Sequence, residues 1–383
     1  MTDIRRTPFY ARQYIARRRK SQSNPDTLLS CFSPADRAPC AESETGGSPL
    51  KERCDILILG AGPAGLSCAA ELAGSGASVV VLERQRAVGP KACAGALSRL
   101  MPADLTPPSA LRFDEQVVEI AGKEHRLRLE TPRFTIPRET LASYQLAKIP
   151  NGAGVEIMLG VRARMRDRHT IATDGGDEWS ADSIVGADGA LSIVRRSLGL
   201  PTRRSLGIYR EVRTISKDYA LLLDAARYGT GYLWSFPHRD RVNIGIYFDP
   251  GRLAPAVARG LLDGEIARRF PGMPVSPPKS GWVAHRYAGV EHEGIYLIGD
   301  AAGLALRATG EGISTAVVSG REIGRKLKDR RYAMPELARL LAFKKKQERL
   351  FSLLERFPGM QDTLYRLFIT AKRLPGGQRF FER

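Results

Sequence analysis

The sequence predicts an α/β fold, because an apolar strand, a glycine-rich turn leading into a helix, and a second apolar strand follow one another. The first strand is the run DILIL at residues 55–59, which is short and continuous enough for a buried parallel strand. The turn is GAGPAG at residues 60–65, and an Ala- and Leu-rich helix follows it. The second strand, residues 78–83, ends on Glu83. Together these elements make a βαβ unit of about 30 residues, the length of a dinucleotide-binding unit.

Each residue type in this unit suits the binding of a dinucleotide. Gly60 permits the tight turn, Gly62 lets the backbone approach a pyrophosphate, and Gly65 allows the helix to pack closely on the strand. The helix N-terminus offers N–H groups to the phosphates, and Glu83 would accept hydrogen bonds from a ribose. An acid at this position argues against a 2′-phosphate, so FAD or NAD is expected rather than NADP. The predicted cofactor contacts in this unit also include Ala64 and Arg84.

Length and composition exclude several classes of protein. The chain has 383 residues, enough for two or three domains of about 150 residues each. Hydrophobic residues make up 43% and charged residues 26%, which excludes a fully disordered chain, a collagen repeat and a small disulfide scaffold. The five cysteines are scattered, form no CxxC pair, and fit reduced thiols in a cytoplasmic protein. No apolar run reaches the length of about 18 residues that a spanning helix needs.

The net charge of +18 is concentrated at the two ends of the chain, in residues 1–20 and 321–383. Such basic ends have three interpretations: an anionic membrane surface, nucleic acid, or a solvated face without a partner. Nucleic acid is the least favoured, because few aromatic residues stand among the arginines. A membrane location would be peripheral, on the inner face. Residues 1–50 have no sustained hydrophobic period, and we expect a basic mobile extension there.

Two further segments decide between FAD and NAD. They are DSIVGADGA at residues 182–190 and GIYLIGDAAG at residues 294–303, each a strand that enters a glycine turn. They resemble the second and third fingerprints of flavoprotein monooxygenases and reductases of the para-hydroxybenzoate hydroxylase fold. That resemblance implies FAD, with the aspartate of the Gly-Asp pair on the ribityl chain and the Asp-Gly pair near the pyrophosphate. The corresponding predicted contacts are Asp188, Gly189, Gly299 and Asp300.

The source of electrons is expected to lie outside this chain. No second glycine-rich fingerprint followed by an acid occurs after Glu83, so a separate nicotinamide domain is not expected. The donor would be a ferredoxin-like protein or NAD(P)H that docks transiently.

Three more motifs narrow the family. They are KACAGALS at residues 91–98, GYLWSFP at residues 231–237 and TGEGI at residues 309–313. Between residues 54 and 328, the order of motifs resembles that of the geranylgeranyl reductase family of FAD-dependent oxidoreductases. Members of that family use reduced FAD to saturate isolated C=C bonds in the polyprenyl groups of lipids, quinones or chlorophyll precursors.

The resemblance implies roles for particular residues. It places Cys93 and Tyr232 at the catalytic centre, and Arg138 where relatives have an arginine before a helix near the cofactor. It also implies that a helix starting near Gly310 points its N-terminus at the flavin. Hydride would pass from flavin N5 to one alkene carbon and a proton to the other, from Cys93, Tyr232 or a water. The further cofactor contacts are Cys93, Ala94, Gly310, Gly312 and Ile313. The substrate contacts are Tyr232, Trp234, Phe236 and Pro237.

Alternative interpretations stay open from the sequence. The three FAD fingerprints serve equally well in an FAD-dependent monooxygenase or halogenase that acts on an aromatic or polyketide-like substrate. A flavin-bearing or degenerate binding protein that uses its basic ends on nucleic acid is the third possibility. Cys93 alone could be a small buried hydrophobic residue, and an aromatic stripe on a strand is more often core than site. No metal site is predicted from the scattered histidines.

The full expectation is an α/β fold with a Rossmann-like FAD-binding domain, an inserted, mostly antiparallel β substrate domain, and a helical C-terminal tail. The FAD-binding domain would comprise residues 51–90, about 150–200 and 286–330, and the substrate domain about 91–149 and 201–285. Residues 331–383 would form the basic helical C-terminal region.

Overall fold

The structure is a computed structural model and describes residues 51–373. The predicted basic extension at residues 1–50 lies outside the described residues, as does the last part of the predicted C-terminal region. The strands are β1 (Lys51–Leu59), β2 (Val79–Glu83), β3 (Ala96–Leu97), β4 (Leu111–Ile120), β5 (Lys123–Thr135), β6 (Val155–Leu159), β7 (Ala163–Met165), β8 (Thr170–Thr173), β9 (Glu178–Gly186), β10 (Arg204–Val212), β11 (Ala220–Leu223), β12 (Tyr232–Pro237), β13 (Val242–Phe248), β14 (Lys279–Ala284), β15 (Glu291–His292) and β16 (Ile295–Leu297). The helices are α1 (Pro63–Leu72), α2 (Arg138–Leu146), α3 (Ile193–Ser197), α4 (Ala225–Tyr228), α5 (Pro255–Arg269), α6 (Ile313–Lys328), α7 (Pro335–Arg356) and α8 (Gln361–Arg373).

The first sheet has a parallel centre, as the βαβ unit predicts. Its strand order is β15-β16-β9-β1-β2-β6, and the short strands β7 and β8 extend it beside β9. β1 pairs in parallel with both β2 and β9, so all three fingerprint segments end at the same edge. Leu57 and Ile58 of β1 are fully buried, because helices cover a parallel sheet on both faces. Helix α1 begins at Pro63, whose fixed φ suits a first helical turn, and packs against α6.

The second sheet is mostly antiparallel and carries the aromatic motif. Its strand order is β14-β10-β13-β12-β11-β4-β5-β3, and only the β11–β4 pair is parallel among the recorded pairings. On one face, Leu262 and Ile266 of α5 pack on a cluster that includes Phe248. The other face is lined with aromatic side chains and looks toward the first sheet. This mixed architecture, with its helical C-terminal region, confirms the predicted fold class.

Helix α7 is fixed at its start and at its middle by buried charges. The Glu322 carboxylate in α6 accepts hydrogen bonds from the Tyr332 hydroxyl (2.7 Å) and from the backbone N–H of Glu336 (2.9 Å). About two turns further along α7, Lys344 Nζ donates to the Ala305 carbonyl at 2.7 Å. Burial lowers the pKa of Lys344. These bonds hold α7 against the loop that precedes α6.

Helix α8 lies over the end of the second sheet. Its Ile369 is buried against Val118, Ile120 and Leu127 of β4 and β5. Within residues 51–373, no helix is both long and apolar enough to cross a membrane.

Candidate active site

A cavity of about 1440 Å³ lies between the two sheets and continues beneath α7 and α8. Pockets for one drug-sized ligand are typically about 300–1,000 Å³, so this cavity has room for a cofactor and a second molecule. Most of the predicted site residues line it: Gly60, Gly62, Ala64, Glu83, Arg84, Cys93, Ala94, Asp188, Gly189, Tyr232, Trp234, Phe236, Gly299, Asp300, Gly310, Gly312 and Ile313. The cavity lining does not include Gly65 or Pro237.

The first glycine turn and the acid after β2 are held together by hydrogen bonds. The Glu83 carboxylate accepts from the backbone N–H of Ala61 and of Gln85, each at 2.8 Å. Gly62, which precedes α1, forms no side-chain cap, so the N–H groups of the first helical turn face the cavity end of the strand. Such a helix terminus attracts phosphate.

Three buried polar groups on the cavity wall have side-chain atoms without a hydrogen-bond partner in the part of the chain that the structure describes, and two of them lie beside the first glycine turn. One is Nη1 of Arg138, and the other is Oδ1 of Asp188. Arg138 Nη2 lies 3.9 Å from the point where a side chain on Gly62 would begin. Burial lowers the pKa of Arg138, and burial likewise raises the pKa of Asp188. An anionic group at the glycine turn would compensate the buried guanidinium, so Arg138 fits the diphosphate of a dinucleotide.

The third fingerprint brings a carboxylate to the same cavity. Asp300 stands in the single turn Gly299–Ala302 that follows β16, and its Oδ2 lies 3.4 Å from Lys91 Nζ. The helix expected to start near Gly310 begins at Ile313 instead. The reason is that Gly310 has φ +63°, a left-handed conformation that does not continue into a helix. The glycines before Ile313 therefore form a loop on the cavity wall.

Aromatic side chains of β12 form the opposite wall. Trp234 lies across the backbone of Gly207 and Gly245, and its Nε1 donates to Asn243 Oδ1 at 2.8 Å. Phe236 stacks on Tyr219, with ring centroids 4.2 Å apart. Trp234 and Phe236 are buried and also line the cavity, a position compatible with both interpretations made from the sequence, and their role as substrate contacts stays a prediction.

The two predicted catalytic residues lie on the cavity wall. Cys93 is half-buried, and its Sγ accepts a hydrogen bond from the Gly95 N–H at 3.3 Å. Its carbonyl accepts from Asn243 Nδ2 at 3.1 Å, which links the cysteine loop to Trp234. The Tyr232 hydroxyl donates to the Thr309 carbonyl at 2.5 Å, and burial raises the pKa of Tyr232 well above its ordinary value.

Pro237 and Gly65, the two predicted site residues that do not line the cavity, pack within the fold. Pro237 ends β12, and its carbonyl accepts a hydrogen bond from the Thr135 hydroxyl at 2.5 Å. It does not line the cavity, and its role as a substrate contact stays a prediction. Gly65 lies in α1 directly against the Gly60 carbonyl, which is the close packing that the sequence predicts.

Sequence reasoning did not select two residues of this site. Asn243 follows Val242 in a strand and resembles any strand residue that faces a neighbour. Glu311 lies inside the TGEGI run, of which only the glycines and Ile313 were selected as contacts. The only signal for Glu311 in the sequence is its position between two glycines. That position is compatible with a carboxyl group exposed on a loop and equally with a buried one. Residues 51–373 contain no group of three or more His, Cys, Asp or Glu placed to hold a metal.

Comparison with known proteins finds similarity to FAD-dependent oxidoreductases. The profile of the FAD dependent oxidoreductase family matches residues 55–148. Digeranylgeranylglycerophospholipid reductase 1 of Methanopyrus kandleri is 28% identical over 301 residues, which cover 70% of this chain and 79% of that protein.

Two solved structures share the fold. A geranylgeranyl bacteriochlorophyll reductase-like protein of Thermoplasma acidophilum has a TM-score of 0.71 and 19% identity, over 85% of this chain and 92% of the other. A probable FAD-dependent monooxygenase of Pseudomonas aeruginosa has a TM-score of 0.61 and 20% identity, over 81% of this chain and 97% of the other. These two likenesses show the fold alone, and the sequence identity to the Methanopyrus kandleri reductase is higher, at 28%.

Proposed function

We propose that this protein reduces C=C bonds of a polyprenyl chain. The premise is that it is a flavin-dependent oxidoreductase with FAD as its cofactor and a relative of the geranylgeranyl reductases. The polyprenyl group would be of geranylgeranyl type and would belong to a lipid or a quinone. The observation that carries this proposal is the shape of the cavity. It runs from the glycine turn, past the aromatic wall, to a mostly apolar end beneath α7 and α8.

The far end of the cavity suits a long hydrocarbon. Apolar side chains from three strands of the second sheet, β4, β5 and β11, face apolar side chains of α7 and α8 across it. These lining residues are Val118, Leu127, Leu221, Leu223, Leu350, Phe351, Leu354 and Leu364. A polyprenyl chain has no polar groups to satisfy, so its affinity would come from the apolar area that it buries here.

The protein's own residues have two tasks in such a reaction. Bound FAD, when reduced by an external donor, supplies hydride chemistry. The aromatic wall with Trp234 and Phe236 orients the chain and excludes water, while Cys93 and Tyr232 contact its reacting segment. The donor would be a ferredoxin-like protein or NAD(P)H, since only one dinucleotide fingerprint with a following acid is present in the sequence.

An anaerobic turnover tests this function. Protein reduced with dithionite is mixed with geranylgeranyl lipids, and the products are read by mass spectrometry. We expect products heavier by successive pairs of hydrogen atoms. An unchanged lipid from a protein with full FAD content would contradict the proposal, and oxygen consumption with aromatic substrates would then test the monooxygenase or halogenase alternative.

We further propose that the protein works at an anionic membrane surface. Six large apolar side chains are exposed on α7, α8 and the turn between them, and we call this set the C-terminal surface: Leu350, Leu353, Phe357, Met360, Leu367 and Phe368. Four of them also line the cavity, namely Leu350, Leu353, Leu367 and Phe368. A lipid chain could therefore pass from a bilayer into the cavity at this place.

Basic side chains accompany the C-terminal surface. Exposed on the same two helices are Lys345, Arg349, Arg356, Arg366 and Arg373. Each cation near an anionic bilayer contributes about 1 kcal/mol to binding. Apolar and basic residues on one helical surface are typical of peripheral binding to anionic lipid.

Substitution of Phe357 and Met360 by aspartate tests the surface without changing the cavity, since neither side chain lines it. We expect at least tenfold weaker co-sedimentation with vesicles that contain phosphatidylglycerol, because full burial of each side chain contributes about 1.5–3 kcal/mol. The matched control is aspartate at Ile215 and Val257, which are exposed apolar residues elsewhere in the fold. Equal binding of both double variants would contradict the membrane proposal.

A further inference from the structure

Glu311 occupies a place in the cavity that no assigned role explains. It lies between Gly310 and Gly312 in the loop before α6 and lines the cavity. Its Oε1 accepts a hydrogen bond from the Ser98 hydroxyl, 213 residues earlier in the chain. Its backbone is fixed as well, because the Leu306 N–H donates to the Glu311 carbonyl at 2.8 Å. The carboxyl group is therefore held at one point on the wall.

Glu311 also stands beside the aromatic wall. Tyr219 and Tyr232 are close enough for its charge to affect their ionisation. The Tyr232 hydroxyl is bonded to the carbonyl of Thr309, two residues before Glu311, so the loop and the aromatic strand are joined. A chain that contacts Tyr232 thus passes near the carboxyl group.

We propose that Glu311 is the acid that protonates the substrate in the proposed reduction, an inference that rests on the function proposed above. The O–H bond of the Glu311 carboxyl breaks and its proton goes to one carbon of the double bond. The π electrons of the C=C bond form the new C–H bond, and hydride from the reduced flavin completes the other carbon. The carboxylate that remains keeps the Ser98 hydrogen bond and regains a proton from water between turnovers.

The other candidate acids are less suited to this step. The Tyr232 hydroxyl already donates to Thr309, and its raised pKa makes it a weaker acid. The Cys93 Sγ is engaged within its own loop, where it accepts a hydrogen bond from the Gly95 N–H at 3.3 Å. A carboxyl group is ordinarily a stronger acid than a thiol or a phenol, and burial raises the pKa of Glu311, which favours its protonated form.

The surroundings of Glu311 fix the direction of its pH dependence. Burial raises its pKa, while the Ser98 hydrogen bond and the charges of Arg133 and Arg99 act in the opposite direction. A carboxyl whose pKa is higher in the folded state than in the unfolded state contributes stability at low pH. That contribution is lost as pH rises through the folded pKa. The wild type should therefore lose stability relative to E311Q as pH rises above the ordinary Glu value of about 4.3.

The first test does not depend on activity. Infrared difference spectra of FAD-loaded wild type and E311Q, recorded at neutral pH in H2O and D2O, should show a protonated carboxyl band that only the wild type has. Thermal unfolding of both proteins across pH should show that the wild type loses stability relative to E311Q as pH rises. The absence of the band from the wild type at neutral pH would overturn the inference.

The second test measures the step itself. In a single anaerobic turnover with a geranylgeranyl lipid, E311Q should be slower than the wild type by about 10²-fold or more, the usual contribution of a general acid. E311D should recover part of the rate, and E293Q, which changes an exposed glutamate, serves as the control. An unchanged rate in E311Q, with normal reduction by the wild type, would overturn the role of Glu311 alone. A wild type that leaves the lipid unsaturated would overturn the proposed function, and the acid role with it.

Discussion

Substitution of Gly65 by alanine is expected to remove FAD from the purified protein. A methyl group on Gly65 would lie 1.9 Å from the Gly60 carbonyl oxygen and 3.1 Å from its carbon. Both are backbone atoms of the glycine turn, so no side chain can move aside to make room. Helix α1 would have to separate from the turn, and the phosphate-binding N–H groups would move with it.

The measurement is the ratio of FAD to protein after purification, from the flavin absorbance. We expect it to fall at least tenfold in G65A. The matched control is G260A, the same substitution at an exposed position of helix α5, where nothing lies within 4 Å of the added methyl group. That control should keep FAD and gain up to about 1 kcal/mol of stability from helix propensity. Full FAD content in G65A would show that the turn does not hold the cofactor as proposed.

Substitution of Trp234 by alanine is expected to lower turnover of a polyprenyl substrate by about 100-fold while FAD stays bound. The ring is 5% exposed and forms part of the cavity wall, so its loss would widen the cavity where the reacting bond must be held. A displacement of about 1 Å at a reacting centre can cost this much. FAD should remain, because Trp234 lies on the second sheet and its hydrogen bond is to Asn243 of the neighbouring strand.

Two accompanying measurements separate geometry from stability in W234A. Loss of a buried Trp typically costs about 3–5 kcal/mol, so thermal unfolding must show that the variant is folded at the assay temperature. W234F keeps an aromatic ring without the hydrogen bond to Asn243 and should retain an intermediate rate. Wild-type turnover in a folded W234A would exclude a positioning role for this wall.

The sequence alone was sufficient for the parts of the fold that depend on local pattern. The strand, turn, helix and acid of residues 55–83 are contiguous, so their apolar runs and glycines predict the βαβ unit directly. The fingerprints at Asp188 and Asp300 could be found because each is a strand followed by a glycine turn. Parallel pairing of β1 with β9, and of β9 with β16, then brings them to one edge.

The remaining features of the site depend on contacts between distant parts of the chain. Asn243 acts on the cysteine loop 150 residues away, and nothing in the sequence around it indicates that partner. Glu311 could not be distinguished from a solvated loop carboxylate until Ser98 and the aromatic wall were placed beside it. Pro237 adjoins the aromatic motif in the sequence, but strand alternation puts it on the face opposite to Phe236, and it does not line the cavity.

The cavity is bounded by two stretches of sequence that carry different kinds of information. The cofactor end is formed by motifs within residues 54–328, where spacing and residue type are tightly constrained. The far end is formed in part by α7, which begins at Pro335, and by α8, which begins at Gln361. To bind a hydrocarbon, these helices need only present apolar side chains of suitable volume. Under the proposed function, those two helices determine the length of the hydrocarbon that the cavity can hold. Proteins with the same motifs can therefore differ in the chain length they accept through substitutions confined to their last helices.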